Sequence, residues 1–458
     1  MQFIKDARML LFIALPLLFS RVVDMIVFFV GFILVAKLGP IEFAASSLAS
    51  SIYVTITVIA MGILYAMGIK MSQAYGEEDY NRIREYFYSA VLLAIALAII
   101  GIAIITIISG LLPYLGQKPE VIPMAKKFMA VFCIPMLPTL LTIVINQLVT
   151  VLLKPRIVFF TSMVNATITI LCFYPLMFGS SNIPALGIWG FGLALFIGNL
   201  SIIFITLVYI LLEKYFTKFE LFKFPSLGKQ LVARMIDIIK LGFPMGIQFG
   251  AEIAVFAVTT FLIGTFGSSS LISAQVAQQI IVIAMVVPFT LSEATAILIG
   301  QALGKKDHAA IRSYGFSSQT LTFLILAGIS VIFLMFPRAL TGIYVDLNNP
   351  AMANVISLSI AFLSIAAINQ LLDGIRNVTS GALRALNDSI YPMYIGILIM
   401  WCIALPIGAF LAFREKFGPI GFPIGATVAL FIGSIILCIR FYNKTKEDSG
   451  SFAFETVN

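Results

Sequence analysis

Charge and histidine are what this sequence has least of. Of its 458 residues only 11% are charged and one, His308, is a histidine, whereas a soluble domain spends about a quarter of its residues on charge. With 60% of the chain hydrophobic, no soluble fold of this length has enough polar surface to cover it, so an aqueous globular domain is excluded. One histidine leaves no His-Glu-x-x-His metal motif and no Ser/His dyad, and no Asp-rich prenyl-diphosphate pair is present. The four cysteines, Cys133, Cys172, Cys402 and Cys438, each fall inside an apolar run at no metal-like spacing. A disulfide framework and a Cys/His metal site are therefore not expected, and neither is a cofactor. The chain reads as something other than an enzyme.

What is there is a series of long apolar runs, near 8–36, 45–72, 86–112, 125–152, 157–179, 186–212, 238–265, 271–302, 312–336, 351–383, 390–412 and 420–442. About 20 apolar residues are needed for an α-helix to cross roughly 30 Å of hydrocarbon, and lipid cannot satisfy open backbone groups. The fold class is thus all-α, a polytopic membrane protein of about twelve transmembrane helices. The first run is too long for a signal-peptide core, and no small-residue cleavage pattern interrupts it.

The most informative pattern is a repeat at an offset of 228 residues. Gln73-Ala74-Tyr75-Gly76-Glu77-Glu78-Asp79 recurs as Gln301-Ala302-Leu303-Gly304-Lys305-Lys306-Asp307. The match runs on through Ile83, Arg84 and Tyr86 onto Ile311, Arg312 and Tyr314, and back to Pro16 on Pro244 and Gly39 on Gly267. Six spans separate the copies, so the halves share one orientation, as in transporters whose substrate path lies between parallel repeats. The expected organisation is an N-terminal six-helix lobe over 1–215, a cytoplasmic linker over 216–237 with Pro225 and Gly228, a C-terminal six-helix lobe over 238–445, and a polar cytoplasmic tail over 446–458. The lobes are expected to be parallel and to enclose a central cleft. In each loop motif the glycine, Gly76 or Gly304, is expected to end its helix in the left-handed conformation, and the aspartate, Asp79 or Asp307, to cap the next.

Loop charge sets orientation, because Lys and Arg collect on the cytoplasmic side. With Lys5 inside, the even-numbered connections and the termini hold 20 of the 29 Lys and Arg, the opposite side holds 7, and Arg21 and Arg376 lie within spans. Both termini are expected in the cytoplasm and the chain in the cell inner (plasma) membrane. The net charge of +8 is scattered over loops, which fits anionic lipid headgroups and not nucleic acid.

Ionisable residues at bilayer depth are costly and mark pathways or coupling sites. Glu252 lies midway along the seventh span, and its repeat partner is Asp24 in the first. Asp373 belongs to a stripe of Asn369, Asp373, Asn377, Ser380 and Arg384 on the tenth span, which should face a water-filled cavity. Arg376 follows Asp373 by three residues and Arg21 precedes Asp24 by three, so either pair is a candidate intrahelical ion pair. Glu252 has no basic residue within a turn of its own helix. At that depth its charge calls for a proton or a cation, and sequence leaves H⁺ and Na⁺ equally open.

Gly39-Pro40 after the first span, the two Gln-Ala-x-Gly-x-x-Asp loops, Lys154-Pro155-Arg156 before the fifth span and Gly381-Ala382-Leu383-Arg384 after Asp373 together resemble the multidrug and toxic compound extrusion (MATE) family, over nearly the whole chain. Glu252 and Asp373 look like the paired acids of its NorM-type branch, with Asp373 eleven residues before Arg384. The resemblance implies an antiporter that expels small organic compounds, commonly cationic and aromatic, while Na⁺ or H⁺ enters. In that reading Glu252 and Asp373 bind the coupling cation, as ligands if it is Na⁺, while Asp24, Arg21, Asn369, Arg376 and Asn377 line the substrate cleft of a monomer. Two departures stand out. Bacterial members usually carry an Asp about nine residues before the Gly-Pro proline, where Gly31 stands here, with Asp24 two turns earlier as the candidate replacement. The aromatic residue one turn before the tenth-helix acid is replaced by Asn369. The alternatives are a major-facilitator exporter, whose Asp-Arg-x-Gly-Arg-Arg loop is missing after the second span, and a lipid-linked sugar flippase of the same superfamily.

Overall fold

A computed structural model describes residues 2–114, 119–180, 184–223 and 228–451, with side chains up to 446 at the C-terminal end. Pro225 of the expected linker and 452–458 of the expected tail lie outside the described residues. Among the described residues, helices joined by short loops account for the fold, no β-strand is present, and twelve helices are long and apolar enough to cross a membrane.

Nine of the spans are the helices α1 (Gln2–Leu38), α2 (Pro40–Gly76), α3 (Tyr80–Leu111), α4 (Ile122–Val151), α5 (Arg156–Phe178), α6 (Ile188–Leu212), α7 (Lys229–Gly264), α8 (Ser268–Gly304) and α9 (His308–Met335). A single-turn α10 (Pro337–Thr341) precedes the tenth span, α11 (Ala353–Ala385). The eleventh is broken into α12 (Ile390–Leu398), a π-helical turn (Ile399–Ala404) and α13 (Leu405–Phe413), and α14 (Gly421–Ser451) is the twelfth. Pro406 explains the break, because its missing N–H cannot close an α-helical bond back to Cys402 and the chain widens to accommodate it. Outward-facing Ile99, Phe204 and Phe261, each more than 60% exposed, are what a lipid-facing surface requires; their burial elsewhere is not needed.

The helices form two compact units, one of Leu15–Gly246 and one of Met1–Ala14 with Ile247–Asn458. Each contains the opening segment of a helix that continues in the other. In the first unit, the start of α7 docks on α3: Arg234 Nε donates to Glu85 Oε2 at 2.9 Å and Ser89 Oγ to the Leu231 carbonyl at 2.9 Å. In the second, the start of α1 docks on α9, where buried Asp6 accepts from Ser313 and, at 3.1 Å, from Ser317. Glu85 and Ser313, Ser89 and Ser317, and Asp6 and Arg234 are related by the same 228-residue offset. The repeat therefore preserves the docking and changes its chemistry.

The loop motifs close as expected at their aspartates and differently at their glycines. Asp79 Oδ1 accepts from Arg82 N at 3.0 Å and Asp307 Oδ1 from Ala310 N at 2.9 Å, two N-caps at equivalent positions. The left-handed residues are Glu78 (φ 59°) and Lys306 (φ 57°), while Gly76 and Gly304 are the last residues of their helices. Bonds from Asp79 N to the Ala74 carbonyl and from Asp307 N to the Ala302 carbonyl complete the paired closure that places the left-handed residue one position beyond the cap. Leu153 and Asn387 close α4 and α11 in the same way, with φ of 58° and 60°.

Candidate functional site

The second unit brings Glu252 and Asp373 together through a third residue. Glu252 lies on α7, and Asp373 and Arg376 lie one turn apart on α11. Arg376 Nη1 donates to Glu252 Oε1 at 2.7 Å, and its Nε and Nη2 both reach Asp373 Oδ1 at 2.8 Å. The intrahelical Asp373–Arg376 pair is thus present, and a basic neighbour that Glu252 lacks along its own helix is supplied across helices, 124 residues away in sequence. Arg376 is among the largest fully buried side chains, 2% exposed against 14% for the Glu252 side chain. Removing Arg376, the shared partner, would leave both buried carboxylates without a direct cation, at a cost of about 3–5 kcal/mol.

Amides and a second arginine surround the triad. Asn377 Nδ2 donates to Asp373 Oδ2 at 2.9 Å, and Gln248 Nε2 to Glu252 Oε1 at 3.1 Å. Gln248 Oε1 in turn accepts from Arg384 Nη2 at 2.8 Å, and that guanidinium sits over the Phe249 ring, 5.2 Å from its centroid. Asn369 turns to α14, donating to the Pro423 carbonyl at 3.1 Å and accepting from Thr427 at 2.6 Å. The close approach of α8 and α11 that sets this geometry depends on Gly381, where a Cβ would lie 2.6 Å from the Ser292 carbonyl oxygen; Ser292 Oγ bonds the Asn377 carbonyl at 2.8 Å.

Beside the triad opens a cavity of about 200 Å³. Its polar lining includes Glu252, Asp373, Arg376, Asn369, Gln275 and Gln278, and its apolar lining includes Phe256, Met285, Phe362, Met400 and Phe422. The tenth-span stripe thus faces a cavity at Asn369 and Asp373, while Asn377 is buried against Asp373. The cavity floor uses the π-helical turn, which contributes Met400 and Ala404 and lets Trp401 Nε1 donate to the Ala251 carbonyl at 3.3 Å. Gln275, Gln278 and Gln248 escaped the sequence reading, which followed charges; amides at bilayer depth on apolar helices were the signal available.

Asp24 and Arg21 belong to the first unit. Arg21 donates to the Tyr65 hydroxyl with its guanidinium 5.8 Å from that ring's centroid, and Asp24 is half-buried on the same helix. Gly31 faces aromatic rings and not a polar site. Phe173 and Phe191 stack at 5.3 Å, Phe132 meets Phe191 edge-on at 5.8 Å, and Tyr53 stacks on Phe132 at 4.8 Å. Among the described residues no group of three or more His, Cys, Asp or Glu is placed to hold a metal ion.

A polytopic all-helical membrane protein with buried acidic and basic side chains beside a cavity is the architecture of a transporter, and comparison with known proteins gives the family. The MatE family model matches residues 16–174 and again 244–410, two passes whose starts are 228 residues apart, as the repeat requires. The chain belongs to the MatE family, transporters of multidrug-efflux type. It is 27% identical over 433 residues to a probable multidrug resistance protein NorM of Brucella suis biovar 1, covering 93% of this chain and 90% of that one. Its fold matches the eukaryotic MATE transporter AtDTX14 with a TM-score of 0.85 at 16% identity, covering 98% and 99% of the two chains. It matches the bent form of the Vibrio cholerae MATE transporter VcmN with a TM-score of 0.84 at 18% identity, covering 98% of each chain. Membership sets aside the major-facilitator reading.

Proposed function

We propose that this protein is a secondary antiporter that exports small organic cations with aromatic bodies in exchange for Na⁺ or H⁺, with Glu252 and Asp373 forming its coupling-cation site. The observation that carries the reading is the pair of carboxylates, with Arg376 between them, in a cavity also lined by Phe256, Phe362, Phe422, Met285 and Met400. Carboxylates attract a cation, aromatic faces add about 0.5–2 kcal/mol for a stacked one, and methionines repack around varied apolar shapes. Hard oxygen ligands from two acids with nearby amides suit Na⁺, and the same acids suit a proton. The excess of Lys and Arg on the even-numbered connections supports placement in the cell inner membrane with both termini cytoplasmic.

The test is drug-stimulated Na⁺ and H⁺ movement in proteoliposomes, for wild type, Glu252→Gln and Asp373→Asn. Glu252→Gln keeps size and hydrogen bonding and leaves Arg376 paired with Asp373, so folding is expected to persist while exchange is lost. Full pumping by this variant at wild-type expression would remove Glu252 from the coupling site. Ethidium affinity indifferent to both pH and Na⁺ would remove cation competition from the mechanism.

A further inference from the structure

The two acids of the site are not engaged alike. Asp373 uses both oxygens, Oδ1 for Arg376 and Oδ2 for Asn377. Glu252 uses one, since Arg376 and Gln248 both donate to Oε1 and no hydrogen bond reaches Oε2 among the described residues. The Glu252 side chain is also the more exposed, 14% against 7% for Asp373.

Arg376 is attached to these acids in different ways. It meets Asp373 along one helix, one turn apart, where both ends move together. It meets Glu252 across two helices through a single Nη1 contact. The other charged group packed against the cluster is Arg384, which contacts Glu252 only through the Gln248 amide. Two carboxylates and two guanidinium groups therefore balance, and a further cation can pair with a carboxylate of this buried cluster only where a resident guanidinium gives up its contact. Arg376 is the one that bears directly on the half-free acid.

We propose that Arg376 is a tethered competitor cation: it holds Glu252 when no substrate is present, and an entering monovalent cation takes Glu252 by driving the guanidinium wholly onto Asp373. The inference rests on the coupling-site reading above and divides its labour. Glu252 is the receiving carboxylate, Asp373 is a positioning residue that parks Arg376, and Arg376 determines how much positive charge the site accepts. The visitor, whether an inorganic ion or an organic ammonium, takes the place at Glu252 Oε1 that Arg376 Nη1 gives up. The empty carrier keeps its acids ionised without leaving either unpaired.

The experiment is ethidium binding to the purified full-length protein, followed by fluorescence polarisation and repeated across Na⁺ concentration at fixed pH. Arg376→Gln is expected to tighten ethidium binding by about tenfold while slowing ethidium export, because nothing displaces the bound cation. Asp373→Asn leaves Arg376 to Glu252 alone and is expected to weaken binding by about tenfold. The double variant Asp373→Asn/Arg376→Gln removes one charge of each sign and is expected to restore binding to wild-type strength or better. Arg376→Lys keeps the charge, loses the fork and should fall between wild type and Arg376→Gln. Binding unchanged or weakened in Arg376→Gln, or a double variant no better than Asp373→Asn, overturns the proposal. If Arg376→Gln does not fold, the charge-balanced double variant carries the test on its own. Wild-type binding in Glu252→Gln is a separate outcome, which overturns the coupling-site reading and not only the role of Arg376.

Discussion

Gly31 lies so close beneath the ring of Phe191 that a Cβ there would sit 2.7 Å from Cε2, and 2.9 Å from Phe173 Cζ. Both rings are buried and stacked on each other, so neither can swing away. Gly31→Ala is expected to destabilise the protein by about 1–3 kcal/mol through overpacking, read as a lower melting temperature in a thermal size-exclusion assay. Gly31→Asp adds a charge with no basic partner on this aromatic face and should be worse. An Asp variant as stable as wild type, with raised exchange, would show that this position still receives a cation.

The N-caps at Asp79 and Asp307 each satisfy one helix-end amide. Asp79→Ala and Asp307→Ala should each cost about 1 kcal/mol. The two caps share no partner, so the double variant should cost about 2 kcal/mol, their sum. Thermal denaturation of all three variants measures this; a double variant no less stable than either single one contradicts independent caps.

Orientation can be read chemically. In a background lacking Cys133, Cys172, Cys402 and Cys438, Lys306→Cys in the connection after α8 should react with an impermeant maleimide only from the cytoplasmic side. Lys416→Cys, between α13 and α14, should react only from the opposite side. The reverse pattern would invert the positive-inside assignment.

Glu220 makes the segment between α6 and α7 sensitive to acid. A hydrogen bond and charge from Lys223, then Arg84, hold its carboxyl below the usual carboxylate range. A depressed folded-state value contributes stability above the unfolded-state value and loses it as pH falls through the folded one. The protection of Lys214–Phe219 amides, with the intrinsic exchange rate divided out, should therefore fall as pH drops below the usual carboxylate range, and Glu220→Gln should abolish that step. An identical pH profile in the variant would assign the step to another group.

The twelve spans, the repeat and the caps at Asp79 and Asp307 were legible in the sequence because each is a one-dimensional signal: length of an apolar run, a fixed offset, a residue type next to a helix start. Glu252 and Asp373 stood out for the same reason, as charges in apolar surroundings. The contact of Arg376 with Glu252 was not legible, since it depends on which faces two helices present to each other across 124 residues. The left-handed turn residue is expected at Gly76, because glycine is the usual occupant, and composition does not show that the helix runs on through it and that the turn falls two residues later, at Glu78. Gly31 was read as a missing acid, and the ring packing that fills its place is a tertiary fact.

The exchanged openings of α1 and α7 carry a consequence for how this duplicated chain can be divided. A half-molecule beginning at Lys229 keeps Ser313 and Ser317 but not Asp6, and the other half keeps Glu85 and Ser89 but not Arg234 or Leu231. Neither half of the gene encodes a complete unit of the fold. Two fragments made separately should each expose the face that the other's leading segment covers, and only co-synthesis, with each segment free to find its seat, should yield the functional whole.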